Sequence, residues 1–168
     1  MTSSRTETTT PLTDFASLYR DHVADVHRFA VYLCGDPALA DDLVSEAFVR
    51  VWTARERVEL TTVRAYMFAI VRNLFLQHLR HERRRVPLDE RLVDRRPDPE
   101  ARANDQGRLQ TVLAALQRLP EVDRAAVLMR ANGELPYEEI ASALGISVAA
   151  ARVKVHRARL RLAETLEA

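Results

Sequence analysis

Tyr137-Glu138-Glu139-Ile140-Ala141-Ser142-Ala143-Leu144-Gly145-Ile146-Ser147-Val148 carries the clearest structural signal in the chain. Two acids in the first turn suit the positive end of a helix, and Ile140 and Leu144 lie one turn apart on one face. Gly145 supplies the left-handed residue that ends a helix, and Ser147 is a good cap for the next. The spacing predicts helices over Tyr137 to Leu144 and Ser147 to Leu166, separated only by Gly145 and Ile146, which is the grammar of a helix-turn-helix. A plain helical hairpin would carry the same pattern, so the flanking residues have to decide.

Beyond the turn the character of the chain changes. Arg152, Lys154, His156, Arg157, Arg159 and Arg161 follow with no acid between Ser147 and Ala163. Helical geometry puts Val148, Ala151, Val155, Ala158 and Leu162 on one apolar stripe. The same geometry puts Arg152, His156 and Arg159 on one exposed ridge, with Arg157 and Arg161 close to another. A helix with one apolar face and an acid-free basic face suits a phosphate-lined groove, and the first turns of such a helix read base edges. Arg152, Lys154 and His156 are thus the expected readers, and Arg159 and Arg161 the expected phosphate contacts. The bland alternative is a solvated basic helix end.

Working outward towards the N-terminus, helical periodicity runs through Ala126, Val127 and Met129, stops at Leu119-Pro120, and runs again through Leu109, Val112, Leu113 and Leu116. Between Arg85 and Gly107 it disappears: Pro87, Pro97 and Pro99 appear, and acids outnumber arginines over 88–107. That composition predicts a flexible linker. Further upstream, Val63 to about Arg84 reads as one long helix with Met67, Ile70, Val71, Leu74 and Phe75 on its buried stripe. On the same helix Asn73, Gln77, Arg80 and Arg84 fall at i, i+4, i+7 and i+11 and form one polar ridge. From Leu12 to Ala54 the apolar residues recur at helical spacing and are broken into two helices by Gly35-Asp36-Pro37. The expected organisation is a tail at 1–11, a helical domain at 12–84, a linker at 85–107 and a helix-turn-helix domain at 108–168.

Composition agrees with an all-α fold of two small helical domains. The 168 residues hold only four glycines and are rich in Ala, Leu, Arg and Glu, strong helix formers all. A hydrophobic share of 47% is enough to give each small domain a core. The net charge is only +1 although 29% of residues are charged, which excludes an indiscriminate DNA coat and makes the location of each sign the informative quantity. A single cysteine, Cys34, excludes an internal disulfide framework and is read as a small buried hydrophobe. No apolar run approaches membrane-spanning length, and the Ser/Thr-rich start lacks a signal-peptide core, so a cytoplasmic protein without direct membrane insertion is expected. The histidines have neither paired metal-ligand spacing nor a cysteine partner, and no nucleophile constellation or Gly-rich phosphate loop occurs. No catalytic residue, metal, cofactor or small-molecule substrate is therefore expected.

The motifs of the two halves together resemble the extracytoplasmic function group of RNA polymerase sigma factors. Leu119-Pro120, Pro136-Tyr137-Glu138-Glu139-Ile140-Ala141, Leu144-Gly145-Ile146-Ser147 and His156-Arg157-Ala158-Arg159 are similar to its C-terminal domain. Asp41-Asp42-Leu43-Val44-Ser45-Glu46-Ala47-Phe48-Val49-Arg50-Val51-Trp52 is similar to its polymerase-binding helix. Arg64-Ala65-Tyr66-Met67-Phe68-Ala69-Ile70-Val71-Arg72-Asn73-Leu74 is similar to its minus-ten recognition helix. The resemblance covers the chain from about Phe15 to Leu166.

What it implies is a promoter-specificity subunit. Core RNA polymerase would be bound through Asp42, Glu46 and Val49, the two acids standing against a basic coiled-coil clamp; without the family, Asp41 and Asp42 read as ordinary helix-start acids. Minus-ten DNA would be held by Thr61, Thr62, Asn73, Gln77, Arg80 and Arg84, with the loop Val58 to Thr62 and Asn73 capturing a base extruded from the non-template strand. That step costs a few kcal/mol of stacking, which the pocket must recover. Minus-thirty-five DNA would be read through Ser147, Arg152, Lys154, His156, Arg157 and Arg159. Tyr66 and Phe68 are candidates for base stacking or for the core. The linker acids Asp89, Asp94 and Asp98 are candidates for mimicking nucleic-acid charge, and plain disorder is an equal reading of them. An anti-sigma factor is the implied regulatory partner. Three departures stand out: Ser45 where a longer Gln is common, Pro136 where Ser or Thr caps the helix, and Val153 where a small polar residue assists readout. The competing reading is a stand-alone helix-turn-helix regulator with a sensing first domain, which accounts for the C-terminal half only.

Overall fold

The computed structural model describes residues 14–57, 63–85 and 105–167, and among these there is no strand. The elements are α1 (Phe15–Cys34), α2 (Pro37–Thr53), a 3-10 turn (Arg55–Arg57), α3 (Val63–Arg85), α4 (Asp105–Gln117), α5 (Glu121–Ala131), α6 (Tyr137–Leu144) and α7 (Val148–Glu167). The tail at 1–11, the loop Val58 to Thr62 with Thr61 and Thr62, and the linker acids Asp89, Asp94 and Asp98 lie outside the described residues. Helix α4 begins at Asp105, inside the stretch expected to link the two halves.

Local chemistry places the helix ends. Asp14 caps α1 by accepting from the Ala16 amide at 3.0 Å. Gly35, at φ 72°, closes α1 by donating to the Val31 carbonyl at 2.8 Å. Asp36 then caps α2 through the amides of Ala38 and Leu39, and Pro37 starts that helix where its missing N–H costs nothing. Three consecutive residues thus stop one helix and start another. Gly145, at φ 67°, does the same after α6. The Ile146 amide reaches back to the Ala141 carbonyl at 3.0 Å, and the Ser147 hydroxyl accepts from the Ala150 amide at 3.0 Å to cap α7.

Helices α1, α2 and α3 pack on one another, and α7 packs on α4, α5 and α6. Apolar packing does not stop between these two groups. Buried residues of both belong to one continuous core, from Val26, Phe29 and Met67 to Leu128, Ile140 and Val155. Phe68 is completely buried, stacked on Phe29 with ring centroids 4.4 Å apart, so it is a core residue, whereas Tyr66 is 39% exposed. On its other side Phe68 meets the turn between α5 and α6. A Cβ built on Gly133 would lie 2.3 Å from Phe68 Cε2. Gly133 is therefore required by contact with a ring from the other half of the chain.

Polar contacts reinforce the junction. Arg72 of α3 holds Glu121 at the start of α5 with two hydrogen bonds of 2.7 and 2.9 Å. Asn132 donates to the Asp25 carbonyl at 3.0 Å, and Arg64 donates to the Gly133 carbonyl at 3.0 Å while pairing with Asp25. His22 lies beside this cluster, and burial followed by the nearby Arg64 charge lowers its pKa. Cys34 is half-buried and donates to the Asp36 carbonyl at 3.2 Å. Burial raises its pKa, which keeps it a thiol.

Because Phe68 has no room to retreat, Gly133→Ala is expected to lower the free energy of unfolding by about 1–3 kcal/mol, the usual cost of overpacking. Urea titration followed by circular dichroism measures it; an unchanged midpoint would show that the two halves do not meet at Phe68.

Candidate nucleic-acid interface

Three solvent-facing surfaces gather the residues singled out in the sequence. The first is on α7. Ala151, Val155 and Ala158 are fully buried against α5 and α6. Their burial turns Arg152, His156, Arg157, Arg159 and Arg161 outward, all exposed. Ser147 is exposed as well and serves the helix as its cap. Lys154 is placed differently: its ammonium is 3.4 Å from Asp123 Oδ1, and Asp123, on α5, has only 2% of its side chain exposed. Arg157 stands 4.0 Å from the other oxygen of the same carboxylate. A buried carboxylate thus faces two of the six basic or His positions on this helix, and the remaining four are left to solvent.

Arg152 has an aromatic neighbour. Its guanidinium carbon lies 5.4 Å from the centroid of Tyr137, the first residue of α6, and that of Arg130 lies 4.8 Å from the same ring.

The second surface is the outer ridge of α3. Val71, Leu74 and Phe75 are buried, and Asn73, Gln77, Arg80 and Arg84 are exposed on the opposite side. Their spacing lines amides and guanidinium groups along about three turns of helix, groups able to bond unpaired base edges and phosphates. Packing of α3 against α5 and α6 leaves this ridge open.

The third surface is on α2, where burial of Leu43, Ala47 and Val51 turns Asp42, Glu46 and Val49 to solvent. Val49 is 58% exposed, unusually open for a valine. Asp41 is held by His27 at 2.9 Å. Glu46 accepts a single bond from Arg50 at 2.9 Å, both side chains being about half exposed. Such a pair stabilises the helix by only about 0.3–0.5 kcal/mol, so a cation on a partner can compete for Glu46. The aromatic group of Phe15, Tyr19 and Trp52 flanks this face, with Arg55 lying 4.2 Å above the Trp52 ring.

Comparisons with known proteins bear on both halves at once. The model of Sigma-70 region 2 matches residues 18–85, and that of Sigma-70 region 4 matches 109–162. The ECF RNA polymerase sigma factor SigL of Mycobacterium tuberculosis is 32% identical over 162 residues, covering 90% of this chain and 88% of that protein. The chain belongs to the extracytoplasmic function group of sigma factors, the promoter-directing subunits of RNA polymerase. The ECF sigma factor SigE of Mycolicibacterium smegmatis is 34% identical over 89% of this chain, which spans 60% of that relative's length. Among solved structures, the sigma factor RpoE of Bartonella quintana, in complex with the anti-sigma factor NepR, superposes with a TM-score of 0.76 at 27% identity, covering 92% of this chain and 97% of that one. CnrH, solved with the cytosolic domain of CnrY, gives a TM-score of 0.66 at 25% identity over 91% of this chain and 87% of that one. The region 2 match removes the appeal of a stand-alone regulator, whose first domain would have no reason to carry it.

Sequence reasoning missed the residues that join the two sigma regions: Arg72, Glu121, Arg124, Asn132 and Gly133. It also missed Asp123 and the approach of the Arg152 guanidinium to the Tyr137 ring. Their types carried a faint signal, since Asp123-Arg124 stands next to the apolar Ala125-Ala126-Val127-Leu128, where charged groups are costly to bury unless each finds a partner. The partners lie far away in sequence, so only the fold reveals them. Among the described residues no group of three metal-capable side chains comes together, and no described helix is long and apolar enough to cross a membrane.

Removing the carboxylate in Asp123→Ala strands Lys154 in a half-buried site, and a loss of about 1–3 kcal/mol of stability is expected, as for an unmade bond to a charged group. Thermal unfolding of the variant beside the parent checks it. An equal midpoint would mean that Lys154 turns to solvent at no cost and that Asp123 does not anchor α7.

Proposed function

We propose that this sigma factor binds core RNA polymerase through α2, opens the minus-ten element with α3 and reads the minus-thirty-five element with α7. The observation that carries this reading is the pattern of exposure. On each of the three helices the residues assigned to a partner, Lys154 excepted, are turned to solvent while the opposite stripe is buried in the shared core. On α7, Arg152 and His156 are assigned to base edges and Arg159 and Arg161 to phosphate, with Arg157 and Ser147 completing the minus-thirty-five face. Lys154 joins them only by leaving Asp123. On α3, Asn73 is assigned to a base that has left the stack, with Thr61 and Thr62 completing the pocket and Gln77, Arg80 and Arg84 following the strand. Asp42, Glu46 and Val49 are assigned to the polymerase, the acids to a basic partner and the valine to an apolar one. The organisation proposed is a tail at 1–11, region 2 at 12–84, a linker at 85–107 and region 4 at 108–168.

Work of this kind takes place in the cytoplasm and needs no covalent chemistry, cofactor, metal or small-molecule substrate of its own. An anti-sigma factor is the proposed regulator, on the precedent of the RpoE complex with NepR. With a net charge of +1, the free chain attracts DNA weakly at long range, and promoter binding is assigned to the complex with polymerase.

Reversing charge in the pair Asp42→Arg and Glu46→Arg is expected to abolish association with core polymerase while helicity stays intact, since both residues are exposed. Pull-down and circular dichroism on the same samples read the two effects; retained association would make these acids ordinary surface charges.

The two DNA faces should fail at different steps. In the reconstituted holoenzyme, Arg152→Ala is expected to cost about 1–3 kcal/mol of duplex promoter affinity. Asn73→Ala should leave closed-complex binding nearly intact and reduce strand opening. Binding titration beside permanganate footprinting separates them. If Asn73→Ala weakened closed binding as Arg152→Ala does and opened the bound promoter normally, the α3 ridge would be a phosphate-contacting surface instead.

A further inference from the structure

We infer that Tyr137 is the positioning residue for Arg152, its ring fixing the direction in which that guanidinium is presented to minus-thirty-five DNA; this rests on the reading of Arg152 as a base-contacting residue. The two side chains come from different helices. Tyr137 opens α6, and Arg152 sits in the second turn of α7. The turn between those helices is closed by the left-handed Gly145 and the Ile146 amide bonded to the Ala141 carbonyl, and the buried Ile140, Leu144 and Ala151 share one core. That arrangement brings the Arg152 guanidinium carbon 5.4 Å from the Tyr137 ring centroid, within the reach at which a cation is attracted to an aromatic face.

The ring is itself held. Arg130 lies 4.8 Å from the same centroid, and its guanidinium is tethered by a 3.0 Å bond to the Leu135 carbonyl, two residues before the tyrosine. A fixed cation anchors the ring, and the ring orients a movable one. The contrast along α7 makes the arrangement specific. Lys154 and Arg157 face the buried Asp123 carboxylate, which would compete with DNA for them. Arg152 is steered without an acid, by a neutral ring that leaves its donors free for a base edge. Arginine on a flexible stem loses rotamer entropy when binding immobilises it. A ring that restricts it beforehand reduces that cost and narrows the set of bases it can meet.

The test uses holoenzyme reconstituted from core polymerase and the full chain, and a library of duplex promoters randomised over the minus-thirty-five element. The parent, Tyr137→Phe, Tyr137→Leu, Arg152→Ala and the double variant Tyr137→Leu with Arg152→Ala are compared for base preference and for affinity to the duplex the parent selects. Circular dichroism confirms folding. Tyr137→Phe keeps the ring and should match the parent. Tyr137→Leu should lose about two- to tenfold in affinity, the range of an exposed to partly desolvated cation–aromatic contact. It should also flatten preference at the same one or two positions as Arg152→Ala. The double variant should bind no worse than Arg152→Ala alone, because the interaction has already gone.

A merely structural tyrosine would behave otherwise: Tyr137→Leu would lower affinity evenly with base preference intact, or add its full factor on top of Arg152→Ala. Either result overturns the positioning role while leaving Arg152 as a reader. If Arg152→Ala itself leaves base preference unchanged, the assignment of Arg152 fails, and the role of Tyr137 falls with it.

Discussion

A guanidinium buried where the two halves of the chain meet sets the terms for the rest of the molecule. Arg124 is 7% exposed; its Nη1 donates to the Leu33 carbonyl at the end of α1 and to Gln117 Oε1, and its Nη2 donates to the Leu119 carbonyl at 3.2 Å. Burial lowers its pKa, the nearby Glu121 charge opposing that shift. A charge taken out of water persists only if acceptors replace its hydration. Here they are mostly backbone carbonyls: one is left over at the end of an N-terminal helix, and one lies in the turn before α5. Gln117 completes the link by donating to the Tyr32 and Leu33 carbonyls at 3.2 and 3.3 Å. Arg124 therefore draws its acceptors from both halves, and Arg124 and Gln117 together satisfy carbonyls in the last turn of α1.

From that constraint follows which surfaces remain open. With α5 and the turn after it seated on α1 and α3, Phe68 and Arg72 are spent on the junction, and the opposite ridge of α3 keeps Asn73, Gln77, Arg80 and Arg84 in solvent. On the other side, α7 is seated on α5 through Ala151, Val155 and Ala158, small or β-branched side chains that permit close approach. The basic ridge is what that seating leaves outside. Division of labour among cations is set by the same packing. Arg72 and Arg124 are structural, Lys154 and Arg157 face an internal acid, and Arg152 leans on an aromatic ring.

Region 4 in this chain thus controls its own positive charge before any DNA is present. Asp123 keeps part of α7's charge compensated, and its Oδ2 has no hydrogen-bond partner, a cost tolerated because two cations lie near. Tyr137 controls Arg152 without neutralising it. Arrangements of this kind bear on specificity more than on affinity. Phosphate contacts hold the protein on the duplex whatever its sequence, whereas discrimination depends on where a guanidinium points.

Local sequence specifies the elements and their faces. Gly35-Asp36-Pro37 and Gly145-Ile146-Ser147 specify helix ends through conformations and caps that depend on neighbours a few residues away. The apolar spacing of α2, α3 and α7 dictates which side of each is buried, so the exposed positions Asp42, Glu46, Asn73, Gln77, Arg152 and Arg159 could be read from periodicity. The family motifs, being local strings, were legible for the same reason. Tertiary structure decided everything that depends on residues far apart in the chain: the merging of two expected cores into one, the need for glycine at 133 beneath Phe68, the burial of Arg124 under the Leu33 carbonyl, and the capture of Lys154 by Asp123. Those pairings join positions tens of residues apart, and one sequence carries no periodic signal for them. Their partners are chosen by how helices pack, after the local rules have been satisfied.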